Sequence, residues 1–331
     1  MGPSSLSSWV RLIAGTLAAR GIDAEGLLRR AGMPIDRLED PNARYPLSAM
    51  HRLWMLATDA TRDPCFGLEV GRSWHPTTFH ALGYSALACA TLREALGYVA
   101  RYCRVVSTGA RIDIVDHEGD VSIVLASRDH SPAQATEPAV QAGLAALVIL
   151  CRVARGGPVV PQRVTLQQDN NPQASARLRE FFGCVVEFSA SQNALVFRAS
   201  DLDAPLPTAN PVLVQISAQA LERYVARIPS DTLADRVRSR IIRLLPSGPI
   251  GQEAVARSLD LSLRSMQRKL KEEGATFREL LDDTRRRLAD QYAKDSTLSS
   301  SELAYLLGFS EASSFRRALR RWNVNSPSAD A

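Results

Sequence analysis

The C-terminal part of the chain repeats one pattern, as VARSLDLSLRSMQRKL at residues 255–270 and as LAYLLGFSEASSFRRAL at residues 303–319. The apolar positions of the two copies match in pairs: Ala256 with Ala304, Leu259 with Leu307, Met266 with Phe315, and Leu270 with Leu319. The offset is 48 residues before the middle of the pattern and 49 after it, so one residue is inserted in the second copy. The repeat predicts two copies of one helical unit, because the matched positions follow helical spacing.

Each copy has the parts of a helix-turn-helix. A small Ala allows two helices to approach closely, and a turn follows. Gly308 supplies that turn in the second copy, where a residue with positive φ is favoured, and Asp260 takes its place in the first. Ser262 and Ser310 are the expected N-caps of the second helix in each unit.

The second helix of each unit also carries a polar face, early in the helix, where side chains reach base edges in the major groove of DNA. The candidate DNA-binding residues are the two caps, Ser262 and Ser310, together with Arg264, Ser265, Gln267 and Arg268 in the first copy and Ser313, Ser314, Arg316 and Arg317 in the second. Arg can bond bidentately to guanine, Gln to adenine, and Ser to a base or a phosphate. A solvated charged face is the alternative for either helix alone, but two copies with matching polar and apolar faces favour DNA binding.

Residues 276–295, TFRELLDDTRRRLADQYAKD, lie between the units and predict a long connecting helix. Thr276 and Glu279 form a capping box at its start. Such a helix would hold the two recognition helices about one helical turn of DNA apart. Arg285 to Arg287 could contact phosphates, and simple solvation of the triplet is the open alternative.

The preceding part of the chain is predicted to be α+β, mainly helical with short strands. Residues 7–31 and 47–60 have helical patterns, and ARIDIVDHEGDVSIVLAS at 110–127 alternates on both sides of a Gly-containing turn, which predicts a β-hairpin. Further elements are predicted as a helix at 132–154, strands within 163–168, 184–189 and 194–199, and helices at 174–183 and 211–228. The predicted domains are a regulatory domain at 1–210, a connecting helix and linker at 211–230, and an all-α DNA-binding domain at 231–331.

Length and charge agree with this division. A chain of 331 residues exceeds the size at which one hydrophobic core usually stops growing. The net charge is +5, and residues 231–331 contribute most of it, with 18 Lys and Arg against 14 Asp and Glu. No apolar run approaches the roughly 18 residues needed to span a membrane, and the start does not have the pattern of a secretory signal. We therefore expect a cytoplasmic protein without membrane contact.

The cysteines argue against a disulfide scaffold or a zinc site, because the five are far apart and include no CxxC pair. We also find no metal-ligand spacing, no phosphate-binding Gly loop and no nucleophilic triad. No cofactor and no enzymatic activity are therefore expected. One alternative is an alkyl-transfer enzyme fused to the DNA-binding module, for which Cys103, between Arg101 and Arg104, is the candidate nucleophile.

About residues 233–328 resemble the DNA-binding module of the AraC (arabinose-operon regulator) family of bacterial transcription regulators. The resemblance is carried by the two repeat copies and the connecting helix between them. It implies that double-stranded DNA and RNA polymerase are partners. It also places Arg264, Gln267 and Arg268, and then Ser313, Ser314, Arg316 and Arg317, at the base-reading positions.

The N-terminal part resembles the sensor domain of one subfamily, found in regulators of ornithine use and of mycobacterial virulence genes. The stretches RGIDAEGLLRRAGMP, RYPLSAMHRLWMLATDATRDPCFGLEVG and FHALGYSALACATLREALGYVARY carry this resemblance. It implies a small-metabolite effector and, by family habit, transcriptional activation. His75, His80 and Tyr84 are the candidate effector-binding residues because their surroundings are apolar and aromatic, and ordinary core or surface roles are the alternative.

A third interpretation is a constitutive DNA-binding protein whose N-terminal domain only dimerises. The helix predicted at 211–228 has an apolar face that could pack on its own domain or on a second subunit. The sequence leaves the effector, the target genes and the oligomeric state open.

Overall fold

The computed structural model describes residues 3–128, 135–228, 233–245, 248–292, 300–309 and 312–322. The chain divides into two compact units, Gly2–Val225 and Ala226–Ala331. They are called the N-terminal unit and the C-terminal unit below.

The N-terminal unit starts with short helices and one small pair of strands. Its first elements are β1 Ser4–Leu6, α1 Ser7–Ala19, α2 Ala24–Arg30, β2 Arg44–Pro46, α3 Leu47–Thr61, α4 Phe66–Arg72, α5 Ala81–Leu87, α6 Leu92–Arg101 and α7 Cys103–Val106, with 3-10 helices at Ile35–Leu38 and Pro76–Phe79. The single helix predicted over 7–31 is wrong. Gly21, with φ of 72°, ends α1, and the Asp23 side chain caps α2 by accepting from the N–H of Gly26 at 2.9 Å.

A five-stranded mixed sheet follows. Its strands are β3 Ala110–Asp116, β4 Asp120–Ser127, β5 Arg163–Thr165, β6 Val185–Glu187 and β7 Asn193–Arg198. The spatial order is β3-β4-β7-β5-β6, antiparallel except for the β5–β6 pair. The predicted hairpin is confirmed, with Gly119 at φ of 79° in its turn.

Helix α8 (Glu137–Arg155) is the central helix of this unit, and α4 lies directly on it. The contact depends on two glycines of α4: a Cβ added at Gly67 would lie 2.0 Å from the carbonyl oxygen of Pro138, and one at Gly71 would lie 2.6 Å from that of Ala142. By length and composition α8 could also cross a membrane, contrary to the expectation from the sequence, but 67% of its most apolar window is buried. The unit is completed by α9 Pro172–Phe182, α10 Ala199–Asp203 and α11 Pro211–Val225.

The C-terminal unit is all helix over its described residues. Its elements are α12 Leu233–Leu244, α13 Gln252–Ser258, α14 Leu263–Glu272, α15 Phe277–Tyr292, α16 Ser300–Leu306 and α17 Ala312–Trp322. One continuous core joins all six helices, and it contains the matched apolar positions of both repeat copies. The predicted fold class, an α+β unit followed by an all-α unit with two helix-turn-helix motifs and a long helix between them, is confirmed.

Candidate nucleic-acid interface

The first helix-turn-helix consists of α13, a turn at Asp260 and the recognition helix α14. Asp260 has φ of 56°, so the left-handed position predicted for this turn is occupied by a residue with a Cβ. Ser262 then caps α14, since its Oγ accepts from the backbone N–H of Ser265 at 3.1 Å. The cap predicted from the sequence is confirmed, and it sets the point at which the polar face begins.

Helix α14 has one buried face and one exposed face. Met266 and Leu270 lie in the core, whereas Arg264, Gln267 and Arg268 are exposed and Ser265 is half-buried. Two contacts at the surface orient side chains of the exposed face: Gln267 donates to Gln252 Oε1 at 2.8 Å, and Arg268 pairs with Glu272 at 2.9 Å. All candidate residues of the first copy therefore lie on or beside the solvent-facing side of one helix.

The second helix-turn-helix consists of α16, a turn at Gly308 and α17. Gly308 has φ of 65°, and a Cβ there would lie 2.8 Å from the carbonyl oxygen of Gly248, so both the backbone angle and the space require glycine. Phe315 and Leu319 are buried. Ser313, Arg316 and Arg317 are exposed and Ser314 is half-buried, while Ser310 lies outside the described residues.

Arg285 of the connecting helix α15 contacts the second helix-turn-helix, an interaction that neither predicted role, phosphate contact or simple solvation, includes. Its guanidinium donates to the carbonyl oxygens of Leu307 and Gly308 at 2.9 and 2.5 Å and lies 4.3 Å from the ring centroid of Phe309. Burial lowers its pKa, as expected for a cation removed from water. Arg285 therefore fastens the turn of the second helix-turn-helix to α15, whereas its neighbour Arg286 is exposed.

A cleft of about 380 Å³ lies between α15 and α17. Its lining combines four arginines and one acid with a small apolar floor: Arg278, Arg285, Arg317, Arg321, Asp282, Ser314, Leu281, Phe309 and Ala318. Asp282 bonds Arg321 and also accepts from Trp322 Nε1 at 3.0 Å, which ties the end of α17 to α15. The remaining charge on the walls is positive, and the cleft includes the candidate base-reading residue Arg317.

A carboxylate at the end of α14 caps a different helix. The two oxygens of Glu273 accept from the backbone N–H groups of Leu233 and Ala234, both at 2.7 Å. These are orphan donors at the start of α12, where a negative charge is also favoured by the helix dipole. Sequence reasoning missed this contact because the partners are about 40 residues apart.

The three candidate effector residues of the N-terminal unit lie in different environments. His75 is exposed and caps the 3-10 helix Pro76–Phe79, with Nδ1 3.0 Å from Thr77 Oγ1. Tyr84 is 49% exposed on α5. His80 is half-buried with its ring centroid 5.9 Å from that of Tyr224, and burial, with help from Arg11 and Arg44, lowers its pKa.

Two family models match the chain over these two units. Residues 21–206 match the arabinose-binding domain of AraC transcription regulator, N-terminal, and residues 255–330 match a helix-turn-helix domain. The chain belongs to the AraC family of transcription regulators. Membership of this family, together with the helix-turn-helix geometry, makes it a DNA-binding transcription regulator.

Two relatives that align along nearly the whole chain agree with this assignment. The chain is 30% identical to the ornithine utilization regulator of Pseudomonas aeruginosa over 324 residues, which is 97% of this chain and 94% of that protein. It is 29% identical to the transcriptional regulator VirS of Mycobacterium tuberculosis, covering 91% and 88% of the two chains. The crystal structure of the transcriptional regulator CdpR from Pseudomonas aeruginosa aligns over 94% of each chain at 23% identity and a TM-score of 0.49.

Proposed function

We propose that this AraC-family protein is a small-molecule-responsive transcriptional activator that reads promoter DNA with the exposed faces of α14 and α17. The observation that carries the proposal is the two-sided character of both helices. In each, the apolar face is buried in one shared core while arginines, serines and, in α14, a glutamine remain in contact with solvent. Such a face can approach DNA without any rearrangement of the core.

The residue types on the two faces differ, so the two helices would read different bases. Arg264, Gln267 and Arg268 of α14 suit guanine and adenine edges, whereas Arg316 and Arg317 of α17 suit guanine. Serines at both helices suit bases or phosphates. Base contact requires Arg268 to leave Glu272 and Gln267 to leave Gln252, and exposed pairs of this kind cost little to break.

Phosphate contacts would come from arginines around the same faces. Arg278 and Arg321 line the cleft that also contains Arg317, and Arg286 is exposed on α15. Contacts of this type add affinity and salt dependence without sequence preference. RNA polymerase is proposed as a further partner on the basis of family resemblance.

The N-terminal unit is proposed as the sensor. The name of one relative concerns ornithine utilization, which supports a small metabolite as the effector class without identifying the molecule for this chain. We retain residues 1–210 as the sensor domain, 211–230 as the connection and 231–331 as the DNA-binding domain, with His75, His80 and Tyr84 as effector candidates. The cytoplasm is the proposed location, because the DNA is there.

A constitutive DNA-binding dimer is the second candidate. Helix α11 favours it, because three of its apolar side chains, Val212, Leu213 and Ile216, are 64, 42 and 61% exposed. A second copy could cover this face. The two proposals differ in whether a small molecule changes DNA binding.

An alkyl-transfer enzyme is not favoured. Such chemistry needs an accessible thiolate, and Cys103 is 5% exposed with its thiol pKa raised by burial to about 11. Its sulfur lies 3.6 Å from the carbonyl oxygen of Ala110. These observations support a role for Cys103 in packing, and we propose that the protein is not an enzyme.

The test starts from the full chain and a random double-stranded DNA library. Repeated selection should enrich one sequence with two half-sites about one helical turn apart. Fluorescence anisotropy on that site, with and without metabolites that raise the melting temperature, then measures the effector response. Failure to enrich any sequence would overturn base reading, and a site whose affinity no stabilising metabolite changes would favour the constitutive dimer.

A further inference from the structure

Two buried nitrogens, for which the described residues offer no hydrogen-bond partner, lie within seven residues of each other. They are Trp74 Nε1 and His80 Nε2, at the two ends of residues 74–80, called the 74–80 segment below. Trp74 is only 4% exposed. Buried polar atoms in native proteins nearly always have a partner, so two such atoms in one short segment indicate that a partner binds there.

The backbone of the segment is also strained. His80 has φ of 53° and ψ of −136°, a region that residues with a Cβ rarely adopt. Helix α5 presses on the segment from the other side, because a Cβ at Gly83 would lie 2.0 Å from the carbonyl oxygen of Pro76. A strained residue persists only where the surrounding structure holds it, and such residues cluster at ligand-binding and switch sites.

Aromatic rings surround the segment. The ring of Phe79 lies 5.4 Å from that of Trp9 on α1 and 6.1 Å from that of Trp74, and the ring of His80 lies 5.9 Å from that of Tyr224 on α11. Rings at these distances form an apolar wall with hydrogen-bonding groups at its ends, the usual composition of a small-molecule site.

The charged groups near His80 define which ligands are acceptable. Arg11 and Arg44 lower the pKa of His80 in addition to its burial, while Asp40 and a bond to the Pro41 carbonyl act in the opposite direction. A neutral imidazole that donates Nδ1–H to Pro41 leaves Nε2 as an acceptor. The indole of Trp74, in contrast, can only donate.

The segment contacts a residue that is close in the chain to the C-terminal unit. Tyr224, which faces His80, lies in the last turn of α11, and the C-terminal unit begins at Ala226. Arg44, which is half-buried, interacts with Tyr224 as well. A change in the packing of Tyr224 therefore acts two residues before the start of the DNA-binding unit.

We propose that the 74–80 segment, with Trp9 and Tyr224, is the effector site, and that its ligand is a small, ring-containing hydroxylated molecule that is neutral or anionic. This inference rests on the effector response proposed above. The ring of the ligand packs among the aromatic side chains, a ligand oxygen accepts from Trp74 Nε1–H, and a ligand hydroxyl donates to His80 Nε2. A cationic ligand is disfavoured by Arg11 and Arg44.

The test uses the full chain and four probes of similar size: phenol, 4-hydroxybenzoate, tyramine and toluene. At millimolar concentration, phenol or 4-hydroxybenzoate should raise the melting temperature, whereas cationic tyramine and toluene, which lacks a hydroxyl, should do less. Trp74→Phe keeps the ring and removes the N–H, and it should weaken the active probe by at least about tenfold. The matched control is Trp54→Phe, which changes a buried tryptophan in the separate core around Phe66 and should leave probe binding unchanged.

His80→Gly distinguishes a ligand site from ordinary packing. Glycine relieves the backbone angle, so this variant should melt no lower than the wild type and yet lose the probe, whereas a merely structural His80 would give a less stable variant. His51→Ala, at an exposed histidine of α3 outside the segment, is the control and should bind as the wild type does. The proposed site is overturned if no probe shifts the wild type, or if Trp74→Phe and His80→Gly respond as the wild type does.

Measurements of DNA binding distinguish a failure of the proposed effector site from a failure of the proposed function. All four variants should bind the selected DNA as tightly as the wild type in the absence of probe, because none of the substitutions lies in the C-terminal unit. If a metabolite found by screening changes DNA binding equally in the wild type, Trp74→Phe and His80→Gly, the regulator is effector-responsive but the site is elsewhere. If no compound changes DNA binding of the wild type, the effector response itself fails.

Discussion

Replacing Arg285 by Ala should loosen the second helix-turn-helix. The side chain donates two hydrogen bonds to carbonyls at the end of α16 and lies over the ring of Phe309 at 4.3 Å. Hydrogen bonds to a charged group contribute about 1.5–3 kcal/mol each, and the ring contact about 0.5–1, but water replaces part of what is lost. We therefore expect the free energy of local opening of α16 and α17 to fall by about 2–4 kcal/mol.

Amide hydrogen exchange measured on the full chain resolves this local change from the unfolding of the other unit. Arg286→Ala is the matched control, because Arg286 is the next residue of α15 and is exposed; exchange in α16 and α17 should stay unchanged. The reasoning is refuted if Arg285→Ala exchanges like the wild type while its DNA affinity becomes less dependent on salt, which is the behaviour of a phosphate contact.

Five further substitutions test other parts of the structure. Arg268→Ala and Arg317→Ala should each weaken binding to the selected site by about 1–3 kcal/mol in anisotropy titrations and relax preference at separate bases; equal loss on random DNA would contradict base reading. Asp260→Gly should raise the free energy of unfolding by about 0.5–1 kcal/mol in urea titrations, because it relieves a positive φ, whereas Gly308→Ala should lower it by roughly 2 kcal/mol or more. Asp63→Asn should destabilise the N-terminal unit by about 2–4 kcal/mol near pH 7. Burial alone would raise the pKa of Asp63, but Arg20, Arg177 and the backbone N–H of Cys65 hold it below its ordinary 3.8. The stability advantage of the wild type over Asp63→Asn should therefore shrink as the pH falls below that value. A difference in unfolding free energy that stays constant down to pH 2 would contradict this.

The C-terminal unit could be predicted closely because its information is local and appears twice. Positive φ at Asp260 and Gly308, the cap at Ser262 and the buried positions of both recognition helices follow from spacing and residue type. The capping box of Thr276 and Glu279 is likewise present, with Glu279 Oε2 accepting from the N–H of Thr276 at 2.9 Å. Because the pattern occurs twice, the assignment of buried and exposed positions in one copy can be compared with that in the other.

Contacts between residues far apart in the chain could not be predicted from the sequence in the same way. Arg285 stands in a run of arginines that looks solvent-exposed in the sequence, and only the fold shows that it reaches the turn at Gly308. Glu273 similarly caps a helix that begins 40 residues earlier. Capping and solvation give the same one-dimensional pattern for a charged side chain, so sequence spacing alone does not separate them.

The N-terminal unit was predicted in its class but not in its topology. Alternation located the strands, yet the order that places β7 between β4 and β5 depends on pairing between segments far apart in the chain. The effector candidates had the same difficulty. The aromatic neighbours of His80 are visible in the sequence, whereas the unpartnered nitrogen of Trp74 and the ring contact of Tyr224 depend on the fold.

The two hydrogen bonds that Glu273 accepts from the start of α12 have a consequence for how such regulators evolve. Because a carboxylate of the same unit caps the N–H groups of Leu233 and Ala234, these two groups do not depend on a capping residue in the chain that precedes them. Recombination just ahead of Leu233 would therefore leave the groove-reading half intact. A DNA-binding unit that caps its own first helix can be joined to unrelated sensor domains, so that one recombination event places existing promoters under the control of a new signal.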